Sequence, residues 1–253
     1  MYQTLLVEPG PASLRIRLNR PDARNSLSSQ MLLELHRALD EAERDPECRM
    51  VILHGSADHF CSGMDLAETA TDAAADSSGQ MFFSLLRRFT ETPRLVICAV
   101  TGRVSGGGVG LVAAADLVVA APTAVFSLPE ALWGLLPCCV LPFLIRRVGF
   151  QKAYSLTLTT QAVTAEQAHR FHLVDEVADA PEAVIGRLSF RARKLTEPTL
   201  RAAKRYFGEL CPITPATEAL AVGELDRLLG TADVKAAIEG FAIRQEFPWT
   251  QRA

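Results

Sequence analysis

The chain has 253 residues, 49% of them hydrophobic and 22% charged, with a formal net charge of −3. That length fits one large domain or a domain with an appendage, and the charge with no basic stripe argues against a nucleic-acid partner. Six cysteines without a CxxC pair point to reduced thiols in a cytoplasm rather than to zinc or a disulfide framework. The opening MYQTLLVEPG lacks the features of a signal peptide, and the longest uncharged stretch, residues 131–145, is too short and too Pro-broken to span a membrane.

In SLRIRL at 13–18, Leu14, Ile16 and Leu18 alternate with Arg15 and Arg17, which predicts a half-buried strand paired with LLVE at 5–8 across a Pro9-Gly10 turn. Ser28 is placed to cap a helix running to Arg44, with Met31, Leu32, Leu35 and Leu39 on one face. MVILHG at 50–55, LVICAV at 95–100 and DLVVAA at 116–121 are short apolar runs without alternation, the pattern of strands buried on both faces. Helical patterns separate them, so the class is α/β. Residues 67–80, AETATDAAADSSGQ, have little to bury and read as a mobile surface segment or a weak helix. After Glu182 the pattern is helical, with Pro198 near one helix start and Thr231 a cap for the last; a boundary near 195 separates residues 1–195 from 196–253.

Three consecutive glycines, Gly106, Gly107 and Gly108, stand before an apolar helical run. Each weakens a helix interior by about 1 kcal/mol relative to Ala. Two readings account for them. The unpaired N–H groups of a helix start could hold an oxygen that becomes negative during a reaction, or the glycines could let helix and strand pack closely. The spacing fails GxGxxG because Leu111 stands where the last glycine belongs, and neither GxxxxGK[ST] nor GxSxG occurs. The five histidines show no metal-ligand spacing, so neither a metal nor another cofactor is expected.

LNRPDARNSL at 18–27, HFCSGMDLAE at 59–68, the glycine triplet and FSLPEALWGLLP at 126–137, taken in order, resemble the enoyl-CoA hydratase (crotonase) superfamily. RAAKRYF at 201–207 and IEGFAIRQ at 238–245 extend the resemblance into the C-terminal region. It implies a spiral of ββα turns and a C-terminal helical region that builds homotrimers, often stacked as hexamers. It also implies thioester substrates on coenzyme A or an acyl carrier protein, with the enolate held by the backbone N–H groups of Met64 and Gly107. Gly106, Gly108 and Gly110 would then line the substrate.

Hydratases of this family usually carry two glutamates. Here the first position is Gly110, and the second, Glu130, is retained. The apolar neighbours of Glu130 are expected to raise its pKa toward neutrality. Asp65 is the candidate second acid, with a helix N-cap as its other role. Cys61 lacks an activating partner and reads as packing; His54 and His59 read as structural, and His172 as filling a turn where relatives have glycine.

Residues 105–120 and 126–150 look most like the dehydratases of polyketide β-branching cassettes. That implies removal of water from a 3-hydroxy-3-methylglutaryl thioester to give 3-methylglutaconyl thioester. Arg24, Arg87 and Arg88 are candidates for its distal carboxylate, and RRVGFQK at 146–152 for a basic rim facing an acidic carrier. An ordinary hydratase, a double-bond isomerase, the decarboxylase acting next in such cassettes and a catalytically silent binding subunit are the alternatives.

Overall fold

The computed structural model describes residues 1–71, 75–244 and 247. The elements in chain order are β1 (Leu5–Gly10), β2 (Ser13–Leu18), α1 (Ser29–Arg44), β3 (Met50–His54), β4 (His59–Cys61), α2 (Leu66–Thr71), α3 (Ala75–Glu91) and β5 (Leu95–Val100). There follow β6 (Arg103–Ser105), α4 (Gly107–Ala114), β7 (Leu117–Ala120), β8 (Val125–Ser127), a 3-10 turn (Glu130–Trp133), α5 (Leu141–Val148) and α6 (Phe150–Thr159). The chain continues through β9 (Val163–Thr164), α7 (Ala165–Arg170), β10 (Glu176–Val177) and α8 (Pro181–Ala192) to α9 (Glu197–Leu210), α10 (Pro215–Leu229) and α11 (Ala232–Arg244).

The strands form two sheets, ordered β1-β2-β3-β5-β7-β10 and β4-β6-β8-β9. Successive turns place β3, β5 and β7 in parallel in the first sheet and β4, β6 and β8 in parallel in the second. The chain therefore advances as a spiral in which each turn adds one strand to each sheet. The central strands carry Val51, Leu53, Val96, Cys98 and Val118 into the main core, while Met50, Ile52, Ile97 and Ala99 pack on the other face with Ile185 of α8. Burial on both faces explains their unbroken apolar runs.

Ser28 caps α1 by accepting from the Met31 N–H at 3.2 Å. The first hairpin turns at Pro11-Ala12 rather than at Pro9-Gly10: Gly10 pairs with Ser13, and Ala12 takes φ 56° to reverse the chain. Residues 66–71 and 75–91 are helical, the second of the two forms expected for the 67–80 stretch; residues 72–74 of that stretch lie outside the described residues. Thr231 precedes α11, but its hydroxyl donates to the Leu228 carbonyl at 2.8 Å instead of capping that helix. His172 does occupy a left-handed position, with φ 63°.

The helices after residue 195 are fastened to the spiral. Arg94, fully buried, donates to the carbonyls of Ala42, Glu43 and Asp45 and pairs with Glu197 at 3.0 Å. Lys204 of α9 pairs with Asp116 at 2.7 Å, just before β7. Ala221 and Val222 of α10 join the main core.

Candidate active site

The site begins where the two sheets' connections meet. Gly63, at φ 92°, turns the chain after β4. A side chain there would lie 3.0 Å from the Ser105 carbonyl and 3.2 Å from the Gly107 nitrogen. Only glycine lets the 63–64 corner lie so close to the start of α4. The corner is held by the Leu27 N–H donating to the Gly63 carbonyl at 2.8 Å and the Asp65 N–H donating to the Leu27 carbonyl at 3.2 Å.

Between those two bonds the Met64 N–H is left over. Gly107 opens α4 and, like any first helical residue, finds no acceptor one turn back. Among the described residues, neither N–H donates to an internal acceptor. Both residues line one cavity together with Glu130.

The glycine triplet serves both readings of it. Gly106 takes φ 54°, and a Cβ there would sit 3.1 Å from Glu130 Oε1, so the carboxyl lies directly over this backbone. At Gly108 a Cβ would meet the Cys61 carbonyl at 2.7 Å, which is close packing of helix on strand. Cys61 is fully buried there and its thiol is pushed up to about 12, an inert group. Gly110 faces Phe82 Cζ and Val140 Cγ2, each 3.0 Å from where its Cβ would be, and Leu86 Cδ1 at 3.2 Å. Apolar side chains therefore close the space above Gly110.

Glu130 is the first residue of the 3-10 turn after Pro129. Its Oε2 is shut off from solvent and accepts no hydrogen bond. Burial pushes the carboxyl up to about 7, with its own backbone N–H holding back part of the rise. A buried carboxyl oxygen without a partner is rare, and together with its place in the cavity it makes Glu130 the candidate functional group here.

The other walls are mostly apolar: Leu27 and Leu32 from the α1 side, Phe82 of α3 with Gly79 and the hydroxyl residue Ser78 beside it, Leu135, Leu136, Pro137 and Val140 from the segment before α5, and Leu225 of α10. Cys138 and Cys139 complete them, their thiols pushed up by burial to about 11 and about 12. Among the described residues lining the cavity, Glu130 is the only one with a carboxyl, and no Lys, Arg or His is present.

Asp65 takes its other role. Its Oδ1 accepts from the Glu68 N–H at 3.1 Å, capping α2, while Oδ2 accepts from the Ser26 hydroxyl at 3.0 Å and pairs with Arg20 at 2.8 Å. Burial works against its charge, but the Glu68 N–H, Arg20 and Ser26 outweigh it and hold the carboxyl below the ordinary range. It lines a neighbouring hollow with Glu68 and Thr69 rather than the Glu130 cavity. An aspartate so held is a poor proton donor.

The cation candidates do not reach the cavity either. Arg24 is exposed, at φ 51° in the turn before α1, and does not line it. Arg87 pairs with Glu218, and Arg88 with Asp40 at 2.7 Å. The 146–152 stretch lies at the far end of α4 from Gly107: Arg147 donates to the Ala115 carbonyl at 2.8 Å, and Lys152 sits over the Phe171 ring at 3.9 Å. It forms no rim around the cavity. His54 faces Glu182 at 3.7 Å, away from the cavity lining.

A separate apolar cluster braces the site from outside. Trp133 and Leu135 pack with Val234 and Ile238 of α11, and Met64, Leu66 and Phe241 join them. The Trp133 and Phe241 rings meet edge-on with centroids 5.2 Å apart. One cluster thus touches both the residue that presents the Met64 amide and the turn that presents Glu130. Phe82 and Leu225 carry no sequence signal beyond ordinary apolar patterning, whereas Trp133, Leu135, Leu136 and Pro137 fall within the 126–137 motif.

A two-sheet spiral holding a buried carboxyl and two unengaged main-chain amides against an apolar cavity is the architecture of crotonase-type acyl-thioester enzymes. The chain belongs to the enoyl-CoA hydratase/isomerase family, whose model matches residues 11–252, and it is an enzyme of the hydro-lyase kind. Among its relatives, the bacillaene synthase dehydratase PksH of Bacillus subtilis is 30% identical over 252 residues, covering 98% of this chain and 97% of the relative. The 1,2-epoxyphenylacetyl-CoA isomerase of Escherichia coli is 31% identical over 261 residues, covering 99% of each chain. The crystal structure of the B. subtilis polyketide-biosynthesis enoyl-CoA hydratase superimposes with a TM-score of 0.91 at 28% identity, covering 98% of this chain and all 100% of that one. Among the described residues, no helix is long and apolar enough to cross a membrane.

Proposed function

We propose that this enzyme removes water from a 3-hydroxy-3-methylglutaryl thioester, carried on an acyl carrier protein or coenzyme A, to give the 3-methylglutaconyl thioester of polyketide β-branching. The observation that carries the reading is Glu130: the one carboxyl of the described cavity lining, its Oε2 dry and without a partner, beside the free amides of Met64 and Gly107.

The ionised Glu130 takes a proton from C2. The C–H electrons move into the thioester, and the developing oxyanion accepts from the Met64 and Gly107 N–H groups, donors of a kind worth about 3–4 kcal/mol each in the transition state. Collapse of the enolate forms the C2–C3 double bond and breaks the C3–O bond. The proton held by Glu130 leaves with the departing oxygen as water. A carboxyl with a pKa of about 7 suits both halves of that exchange. A tertiary hydroxyl leaves readily, so one carboxyl suffices where Gly110 offers none and Asp65 is held ionised. With no cation among the described lining residues, the distal carboxylate of the substrate is assigned to the open end of the cavity.

The dehydratase PksH among the relatives supports the direction of the chemistry. A homotrimer or hexamer belongs to the same reading, supported by exposed Phe150, Tyr154, Tyr206 and Phe207, and light scattering would test it. Mass spectrometry of carrier-bound 3-hydroxy-3-methylglutaryl thioester tests the reaction: one water lost with the native chain, none with Glu130→Gln. An unchanged acyl mass with the native chain refutes it.

Double-bond isomerisation is the second reading. The single carboxyl could carry a proton from one carbon to another, and the E. coli relative is described as an isomerase. A β,γ-enoyl thioester converted without change of mass, faster than the hydroxyacyl thioester is dehydrated, would favour it.

A further inference from the structure

The Phe82 ring lies across the cavity-facing side of α4. Its Cζ is 3.0 Å from where a Cβ on Gly110 would stand and 3.4 Å from where one on Gly107 would stand. Gly107 and Gly110 are three residues apart, so they share one helix face, and the ring replaces both of their missing side chains as the surface a ligand meets. Phe82 also lines the cavity in its own right, opposite nothing more polar than Glu130. Val140 and Leu86 close the space behind Gly110, which leaves the ring no room to retreat into the helix.

We propose that Phe82 is a specificity-determining residue: its ring is the wall against which the alkyl branch on C3 of the acyl group packs, and it limits that branch to methyl size. The inference rests on the reading that the acyl group lies between the Gly107 amide and Glu130. Given that placement, C3 is the next carbon beyond the one facing Glu130, and its branch points at the helix face that Phe82 covers. Replacing the ring with a small side chain opens space bounded by Gly107, Gly110 and Val140, all apolar, so the gain falls on larger apolar branches.

The test uses the full chain and measures binding, which does not require turnover. Saturated acyl-coenzyme A thioesters without a 3-hydroxyl, which keep the carbonyl oxygen and have no water to lose, are compared by calorimetry with a methyl and with a propyl branch at C3. The native chain is expected to favour the methyl analogue. In Phe82→Ala the affinity ratio shifts toward the propyl analogue by about tenfold, the worth of two further buried methylene groups. Phe82→Leu, which keeps the core filled, shifts it in the same direction by less. A ratio unchanged in both variants overturns the proposal, as does an equal loss of affinity for both analogues. Glu130→Gln is run beside them for turnover: if it still dehydrates the substrate, the catalytic reading fails whatever the binding ratios show.

Discussion

The buried Glu130 carboxyl makes a thermodynamic prediction that needs no substrate. Its pKa is about 7 in the folded chain against an ordinary 4.5. Below pH 4.5 the carboxyl is protonated in both folded and unfolded chains and contributes nothing to pH dependence. Between 4.5 and 7 the unfolded chain has released the proton while the folded chain retains it, so stability falls as pH rises. Above 7 both forms are ionised, and the folded chain carries the whole cost of a charged group out of water, about 3 kcal/mol at 1.36 kcal/mol per pKa unit. Glu130→Gln has no such ionisation. Urea denaturation of both proteins from pH 4 to pH 8.5, at fixed protein concentration, gives the stability of the variant minus that of the native chain. That difference should be level at the acid end, climb by about 3 kcal/mol across the window, and be level again above neutrality. For a chain of this length the climb corresponds to very roughly 6–12 °C in Tm. The amide of Gln adds only a constant offset, which the comparison removes. A difference that stays flat from pH 4.5 to 8 would mean that Glu130 is solvated, and the catalytic reasoning would lose its base.

The same ionisation sets the activity profile: kcat/KM should fall about tenfold per pH unit below 7 and level off above it, because only the ionised carboxyl removes a proton; a plateau extending down to pH 5 contradicts the assignment. Asp65→Asn keeps an oxygen for the α2 cap and loses the Arg20 ion pair, so stability should drop by about 1–3 kcal/mol while steady-state turnover stays within about an order of magnitude of native; turnover as low as in Glu130→Gln would return Asp65 to an acid's role. Gly108→Ala drives a methyl to 2.7 Å from the Cys61 carbonyl. It should cost about 1–3 kcal/mol in a denaturation assay. Gly186→Ala, where nothing lies within 4 Å, should stabilise α8 by about 0.4–1 kcal/mol.

The sequence was most readable where local chemistry and burial agree. The Ser28 cap, the β-branched runs of β3, β5 and β7, and the glycines before α4 each impose their form within a few residues. Glu130 was legible through its motif and its apolar neighbours. Asp65 is readable only as two alternatives, because the choice between them lies with Arg20, forty-five positions away along the chain. The α3 start was ambiguous for a similar reason: its small residues carry no amphipathic stripe, and packing such as Gly79 against Leu225 Cδ2, 3.2 Å from the glycine's Cβ position, comes from α10. The hairpin turns two residues beyond Pro9-Gly10, a strong local turn signal, because the register pairing Leu5 with Leu18 and Val7 with Ile16 outweighs it. The cavity walls are drawn from α1, α3, α10 and the 135–140 segment, and apolar residues that line a hollow look the same in one dimension as those that fill a core.

The bracing cluster around Trp133 makes α11 part of the scaffold of the candidate site, although none of the described cavity-lining residues comes from it. Wedging or shaving that helix would shift amide and carboxylate relative to each other while the main core, which α11 does not enter, stays intact. Damage at this end of the molecule would therefore reach the reaction centre directly, without passing through the main core.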